Sequence, residues 1–181
     1  MHGPDAGSWT LGASAIRWPG GIVSIVDTVA PTIKRLRLRR LWKRRLREAI
    51  AMWTPAGVGF TVIRQAPVGT LENYCEPIRG KLRISRNDSG DQKTWEFTYS
   101  LDPPTALVTI NWYPRSALDG TMAHTLAHEI GHALGLGHRL APLSIMGPDD
   151  ESITVFPDAH DLASVREWYF PATVAQEETA A

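Results

Sequence analysis

An α+β fold is expected for this chain, and three observations predict it. Five short segments rich in β-branched and aromatic residues read as strands: 22–26, 59–63, 81–85, 94–99 and 106–112. Three others read as helices: from 32 to 53, with apolar residues at helical spacing, the segment after Asp119-Gly120-Thr121 to about Leu134, and 159 to 169. The chain has 181 residues, 43% hydrophobic and 21% charged, with no internal repeat, which suits one globular domain.

In chain order, residues 1–14 are small and polar and read as a tail. Arg17-Trp18-Pro19-Gly20-Gly21 is a turn leading into the first strand. Pro31-Thr32 opens the long helix, with Thr32 as its expected N-cap, and Leu38, Trp42, Leu46, Ile50 and Trp53 form its buried stripe. Pro55-Ala56-Gly57 ends it before the strand from Gly59. Residues 65–80 are loop-like. The segments 81–85 and 94–99 flank Asn87-Asp88-Ser89-Gly90-Asp91, which reads as a hairpin turn. Its oxygens are of the kind that hold a structural Ca2+, but the spacing lacks an EF-hand pattern and the turn reading is preferred. In the last helix Leu162, Val165 and Tyr169 share a face. Residues 172–181 are read as a C-terminal tail.

Formal net charge is zero, so no global field draws the chain to nucleic acid or membrane. No apolar run is long enough for a membrane span, and the opening residues lack the basic start and apolar core of a signal peptide. One cysteine, Cys75, excludes an intramolecular disulfide framework and is read as an incidental thiol. The helix over 33–53 carries Lys34, Arg35, Arg37, Arg39, Arg40, Lys43, Arg44, Arg45 and Arg47. A solvated outer face, balanced by acidic residues of the C-terminal third, is preferred over an anion-binding patch. The absence of interleaved aromatics disfavours nucleic acid.

The chemistry concentrates in His128-Glu129-Ile130-Gly131-His132-Ala133-Leu134-Gly135-Leu136-Gly137-His138. On a helix, His128 and His132 lie one turn apart, roughly 6 Å along the axis, and project to one side. Two imidazoles so placed can grip one metal ion. Glu129 is one position round, placed to act on a water as a base. Gly135 can take a positive φ, end the helix and turn the chain back. His138 then supplies a third nitrogen, and three protein ligands with one open position describe a catalytic rather than a structural zinc. His124 is one turn before His128 and is read as packing near the site; His2 and His160 read as surface residues.

This segment, H-E-x-x-H-x-x-G-x-x-H with Ser144-Ile145-Met146 downstream, resembles the active site of metzincin zinc endopeptidases, and the matrixin branch most. The resemblance implies a metzincin-type catalytic domain over 15–171, with a twisted mixed sheet, a long N-terminal helix, an active-site helix and a C-terminal helix. An upper part, about 15–138, and a lower part, about 139–171, would flank the cleft. It also implies one catalytic Zn2+ held by His128, His132 and His138, Glu129 as catalytic base, and Met146 as a thioether floor beneath the imidazoles. Residues 106–112 are expected as an edge strand pairing with extended substrate through Val108, Thr109, Ile110 and Asn111. Pro148 would lie in the pocket for the side chain after the cut bond.

Gly147-Pro148 stands where many relatives have a tyrosine, so no tyrosine is available from this turn. Between His2 and His124 there is no histidine, so a second, histidine-held zinc is not expected. The partner implied is a protein or peptide substrate, cut by a monomer. The family resemblance favours an extracellular setting. Two rival readings remain open: a zinc-containing protein that holds an anionic partner on the basic helix, and a zinc hydrolase of non-peptide amides.

Overall fold

The computed structural model describes residues 16–66, 78–87, 96–101, 104–111, 121–139, 144–147 and 156–171. Five strands, β1 (Ile22–Asp27), β2 (Gly59–Arg64), β3 (Leu82–Asn87), β4 (Glu96–Leu101) and β5 (Pro104–Asn111), form one sheet in the order β2-β1-β3-β5-β4. Among the described residues three α-helices accompany it: α1 (Leu36–Trp53), α2 (Thr121–Ala133) and α3 (Ala159–Tyr169). All pairings are parallel except β4 with β5, so the sheet is mixed.

Two expectations about the sheet are corrected. The segments read as a hairpin are not partners, because β5 inserts between β3 and β4. The turn residues 88–91 lie outside the described residues. For the same reason β5 is not an edge. Its backbone pairs with β3 on one side, as in Ile84↔Val108, and with β4 on the other, as in Phe97↔Val108. A run such as Ala-Leu-Val-Thr-Ile, apolar on both faces, suits an inner strand better than a rim. Ala106, Leu107, Val108 and Thr109 are all buried.

Alternation then places the core. In register across the sheet, Ile25, Leu82 and Ala106 share one face with Val23, Ile84 and Val108, and all six belong to the main apolar cluster. From α1, Trp42, Leu46, Ala49 and Trp53 are buried in the same cluster, with Leu38 and Ile50 packed against it. A fully buried side chain of the size of Leu46 stabilises by about 1.5–3 kcal/mol.

The start of α1 also differs from expectation. Thr32 does not cap it; residues Ala30–Thr32 form a separate 3-10 turn, and the Thr32 hydroxyl donates to Val29 O (2.8 Å). Asp27 organises this corner, its Oδ1 accepting from the Val29 and Ala30 amides (3.0 Å each) and from Trp42 Nε1 (3.1 Å). Those bonds hold 27–32 in a tight turn, and the helix begins only at Leu36, after an extended Arg35 that offers no side-chain cap.

At the other end, α3 starts with a capping box. The Asp158 side chain accepts from the Asp161 amide (2.8 Å), and that of Asp161 accepts from the Asp158 amide (3.1 Å). Val165 and Tyr169 face inward, and the Tyr169 hydroxyl donates to Ile16 O (3.3 Å).

Candidate metal centre

α2 is a helix buried almost all round. Met122, Ala123, Leu126, Ala127, Glu129, Ile130, Gly131 and Ala133 are buried, and His128 and His132 are half-buried. Its backbone is held by two tryptophans distant in sequence. Trp53 Nε1 donates to Ala127 O (2.8 Å), and Trp18 Nε1 donates to Ala133 O (2.7 Å). These buried bonds bracket the stretch that carries the first two histidines.

Gly135 takes φ +100°, as its place at the end of the helix requires, and the chain reverses. Leu136 N then donates to Gly131 O (3.0 Å), so the turn is anchored on the helix it leaves. His138, exposed, comes back toward the two helical imidazoles. The His132 Nε2 atom lies 3.1 Å from His128 Nε2 and 3.2 Å from His138 Nε2. One ligand atom from each of the three falls within 4.8 Å of the others.

Hydrogen bonds on the far side of the rings decide what these nitrogens are. His128 Nδ1 lies 2.7 Å from Ile145 O, and His132 Nδ1 lies 2.8 Å from Leu136 O. A carbonyl only accepts, so both Nδ1 atoms carry the proton. In the neutral rings both Nε2 atoms are therefore bare lone pairs pointed at each other, an arrangement that calls for a cation between them. Burial keeps the rings neutral. It lowers the pKa of His128, and it lowers that of His132 to about 4, with the neighbouring His128 adding to the effect. The donor set therefore fits a zinc ion of the kind held by three imidazoles.

Glu129, next to His128 on the same turn, is only 6% exposed. Burial raises its pKa to about 7, and among the described residues no donor bonds its carboxylate. A carboxyl of that kind can take or release a proton near neutral pH.

Beneath α2 lies the turn Ser144–Gly147. Gly147 N donates to Ser144 O (3.2 Å), and Met146 O accepts from Arg139 N (2.9 Å). Met146 is fully buried and fits against Gly131. A Cβ placed on Gly131 would overlap the Met146 sulfur and come within 2.8 Å of Trp53 Cζ2. Met146 thus packs under the turn of α2 that joins His128 to His132.

That turn is itself tied to α3. The Ser144 hydroxyl donates to Asp161 Oδ1 (3.1 Å) and accepts from Met146 N (3.1 Å). Arg139 Nη1 donates to both Asp158 (3.1 Å) and Asp161 (3.0 Å). Burial raises the pKa of Asp161, and Asp158 adds to it despite the bonds that oppose the shift. In Asp158 burial works in the same direction, but the Asp161 amide and Arg139 outweigh it and hold the pKa low.

The predicted site residues are therefore placed as follows. His128, His132 and His138 converge, Glu129 is adjacent, Gly135 makes the turn, and Met146 packs below. Val108, Thr109, Ile110 and Asn111 lie on an inner strand, which removes the ground for assigning them to an open edge. Pro148, Cys75 and His2 lie outside the described residues; His160 is exposed. Sequence reasoning missed Gly131, Trp18, Ser144, Arg139 and Asp161 as supports of the site. Only Gly131, a glycine in mid-helix, carried a local signal.

The Peptidase_M10 (Matrixin) family model matches residues 78–170, from just before β3 to the end of α3. No curated protein matches the chain. Among solved structures the chain is similar to one described as the GM1-bound form of the ECX AB5 holotoxin. The TM-score is 0.56 at 16% identity, covering 83% of this chain and 80% of that one, a likeness of fold alone.

Proposed function

The chain belongs to the matrixin family, and on that premise we propose that it is a zinc-dependent endopeptidase. The observation that carries the proposal is the convergence of His128, His132 and His138 with two Nδ1 atoms committed to backbone carbonyls. His128, His132 and His138 would hold the ion. When bound there, zinc supplies Lewis acidity, which polarises a peptide carbonyl and acidifies water.

The chain's own residues do the rest. A Glu129 carboxylate oxygen takes the proton of the attacking water and returns it to the nitrogen of the departing amine. Its low exposure favours this role, because burial brings the carboxyl close to the ambient pH. The Ile145 and Leu136 carbonyls keep the His128 and His132 rings turned with Nε2 toward the centre. Met146 and Trp53, packed on Gly131, set the height of the helix above its floor.

Substrate alignment passes from β5 to β4. Among the described strands β4 is the edge of the sheet on the side that contacts α2. An extended peptide that pairs with this edge gains main-chain hydrogen bonds without a demand on sequence. Cleavage would then be endoproteolytic. A digest of a peptide library, read by mass spectrometry with and without a chelator, tests the proposal. Internal cleavage abolished by chelator and restored by zinc is expected; chelator-insensitive cleavage would refute it.

A further inference from the structure

α1 carries a surface that catalysis does not use. Nine Lys and Arg side chains lie between 34 and 47, and one acidic residue, Glu48, accompanies them. Arg37, Arg40, Arg44 and Arg47 are all exposed and recur at i, i+3, i+7 and i+10. They form one row roughly 15 Å long, on the opposite side of the helix from the buried stripe Trp42, Leu46, Ala49 and Trp53. Arg37, Arg40 and Arg44 line a groove of about 270 Å3 with Leu41.

Nothing in the fold asks for this row. Basic residues crowd the N-terminal turn of α1, where the helix dipole favours anions and no acidic residue is present. Arginines three and four positions apart repel one another. Glu48 takes Arg44 (2.7 Å) and Arg45 (2.8 Å), while Arg37 and Arg40 form no ion pair among the described residues. Among the described acidic residues of the C-terminal third, Asp158 and Asp161 are taken by Arg139. The helix also lies outside the segment 78–170 that the family model matches.

Two further features bear on the partner. Leu36 is 57% exposed among Lys34, Arg35 and Arg37, and Leu41 adds apolar surface inside the arginine groove. Aliphatic side chains within a cationic row gain nothing from a soluble polyanion, but they do at a bilayer interface, where cations meet phosphates and leucine meets acyl chains. Guanidinium groups bind phosphate in a bidentate manner. We propose that the outward arginine row of α1, with Leu36, is a docking surface for an anionic phospholipid bilayer. The protein would bind peripherally, since no helix is long and apolar enough to cross a membrane among the described residues.

Co-sedimentation of the full chain with vesicles tests this. Vesicles of phosphatidylcholine alone are compared with equal parts of phosphatidylcholine and phosphatidylserine. Binding to the mixed vesicles only is expected, falling steeply as salt is raised. The double change Arg37→Glu/Arg40→Glu should lower it by about tenfold or more, with circular dichroism and peptide cleavage unchanged. The milder pair Arg37→Gln/Arg40→Gln should lower it less, and Arg64→Glu, an equal charge change on β2, should do little. Leu36→Ala should weaken binding roughly threefold or more. Equal binding to both vesicle types, or no loss in either arginine pair, would overturn the proposal. So would displacement from the vesicles by polyglutamate or duplex DNA at matched charge together with a silent Leu36→Ala, which would point to a soluble polyanion.

Discussion

α1 and α2 pack against each other, yet they use their polar residues in opposite ways. In α2 Glu129 is buried, and half-buried His128 and His132 are each fixed by a carbonyl on the far side of the ring. Its backbone is pinned by Trp53, which comes from α1, and by Trp18. In α1 the charged groups turn outward, and Arg37 and Arg40 are held by nothing among the described residues. An imidazole that must hold a metal at a set position needs a second partner to orient it. A side chain that meets a variable surface needs only to be present and exposed. The difference predicts that substitutions on α2 act through geometry and those on the outside of α1 through charge.

The largest effect is expected at Glu129. Glu129→Gln should lower peptide hydrolysis by about 10²- to 10⁴-fold while zinc content, measured by metal analysis, and the fold are kept; cleavage at the native rate would refute its role as base. The same variant gives a pH test in the zinc-free protein. Burial raises the Glu129 pKa from 4.5 to about 7, so between those values the folded state holds the proton that the unfolded state has lost. Its contribution to stability is present below 4.5 and is lost as pH rises through 7. His132, lowered from 6.5 to about 4, works the other way and costs stability as pH falls below 6.5. Urea titrations should show Glu129→Gln gaining on the native chain as pH rises from 4.5 to 7; a flat difference would contradict the shift.

Gly131→Ala is expected next. The new Cβ would collide with Met146 and Trp53, both buried, so the strain falls on the floor of the site. A loss of about 1–3 kcal/mol is expected, read from the urea midpoint, together with weaker zinc retention. An alanine tolerated without either change would show that Met146 does not set the position of α2.

The smallest effect sharpens the comparison from the other side. Arg37→Glu puts an acidic residue in the first turn of α1 and removes a repulsion, and should raise stability by about 0.3–1 kcal/mol. Peptide cleavage should be unchanged. A destabilised protein would mean that the outward arginines serve the fold after all.

Much of the site was legible because its grammar is local. His128, Glu129 and His132 need only a helix to share a side, and Gly135 needs only its freedom at positive φ to bring His138 round. The helices were legible for a similar reason, since the stripe Trp42, Leu46, Trp53 repeats at helical spacing. The strand segments were legible too, but their neighbours were not. Sequence proximity suggested a hairpin across 87–91, whereas the structure sends β5 between β3 and β4. Pairing is a contest among all strands, and nothing in one strand states its rivals.

Support of the site was likewise invisible, because it comes from far along the chain. Trp18 reaches Ala133 across 115 residues, and Trp53 reaches Ala127 across 74. In the sequence Asp161 is one of several acidic residues of the C-terminal third, and its burial with Ser144 and Arg139 follows only once α3 is docked. The start of α1 was missed for the same reason: Asp27 holds the preceding turn through Trp42, so Thr32 never reaches a capping position. The sequence by itself determined which residues can meet within one helix and one turn, because bonded geometry leaves few choices there. Strand order, the inner place of β5 and the buried bonds that hold α2 were decided by tertiary structure, where burial selects among many partners that local geometry allows equally.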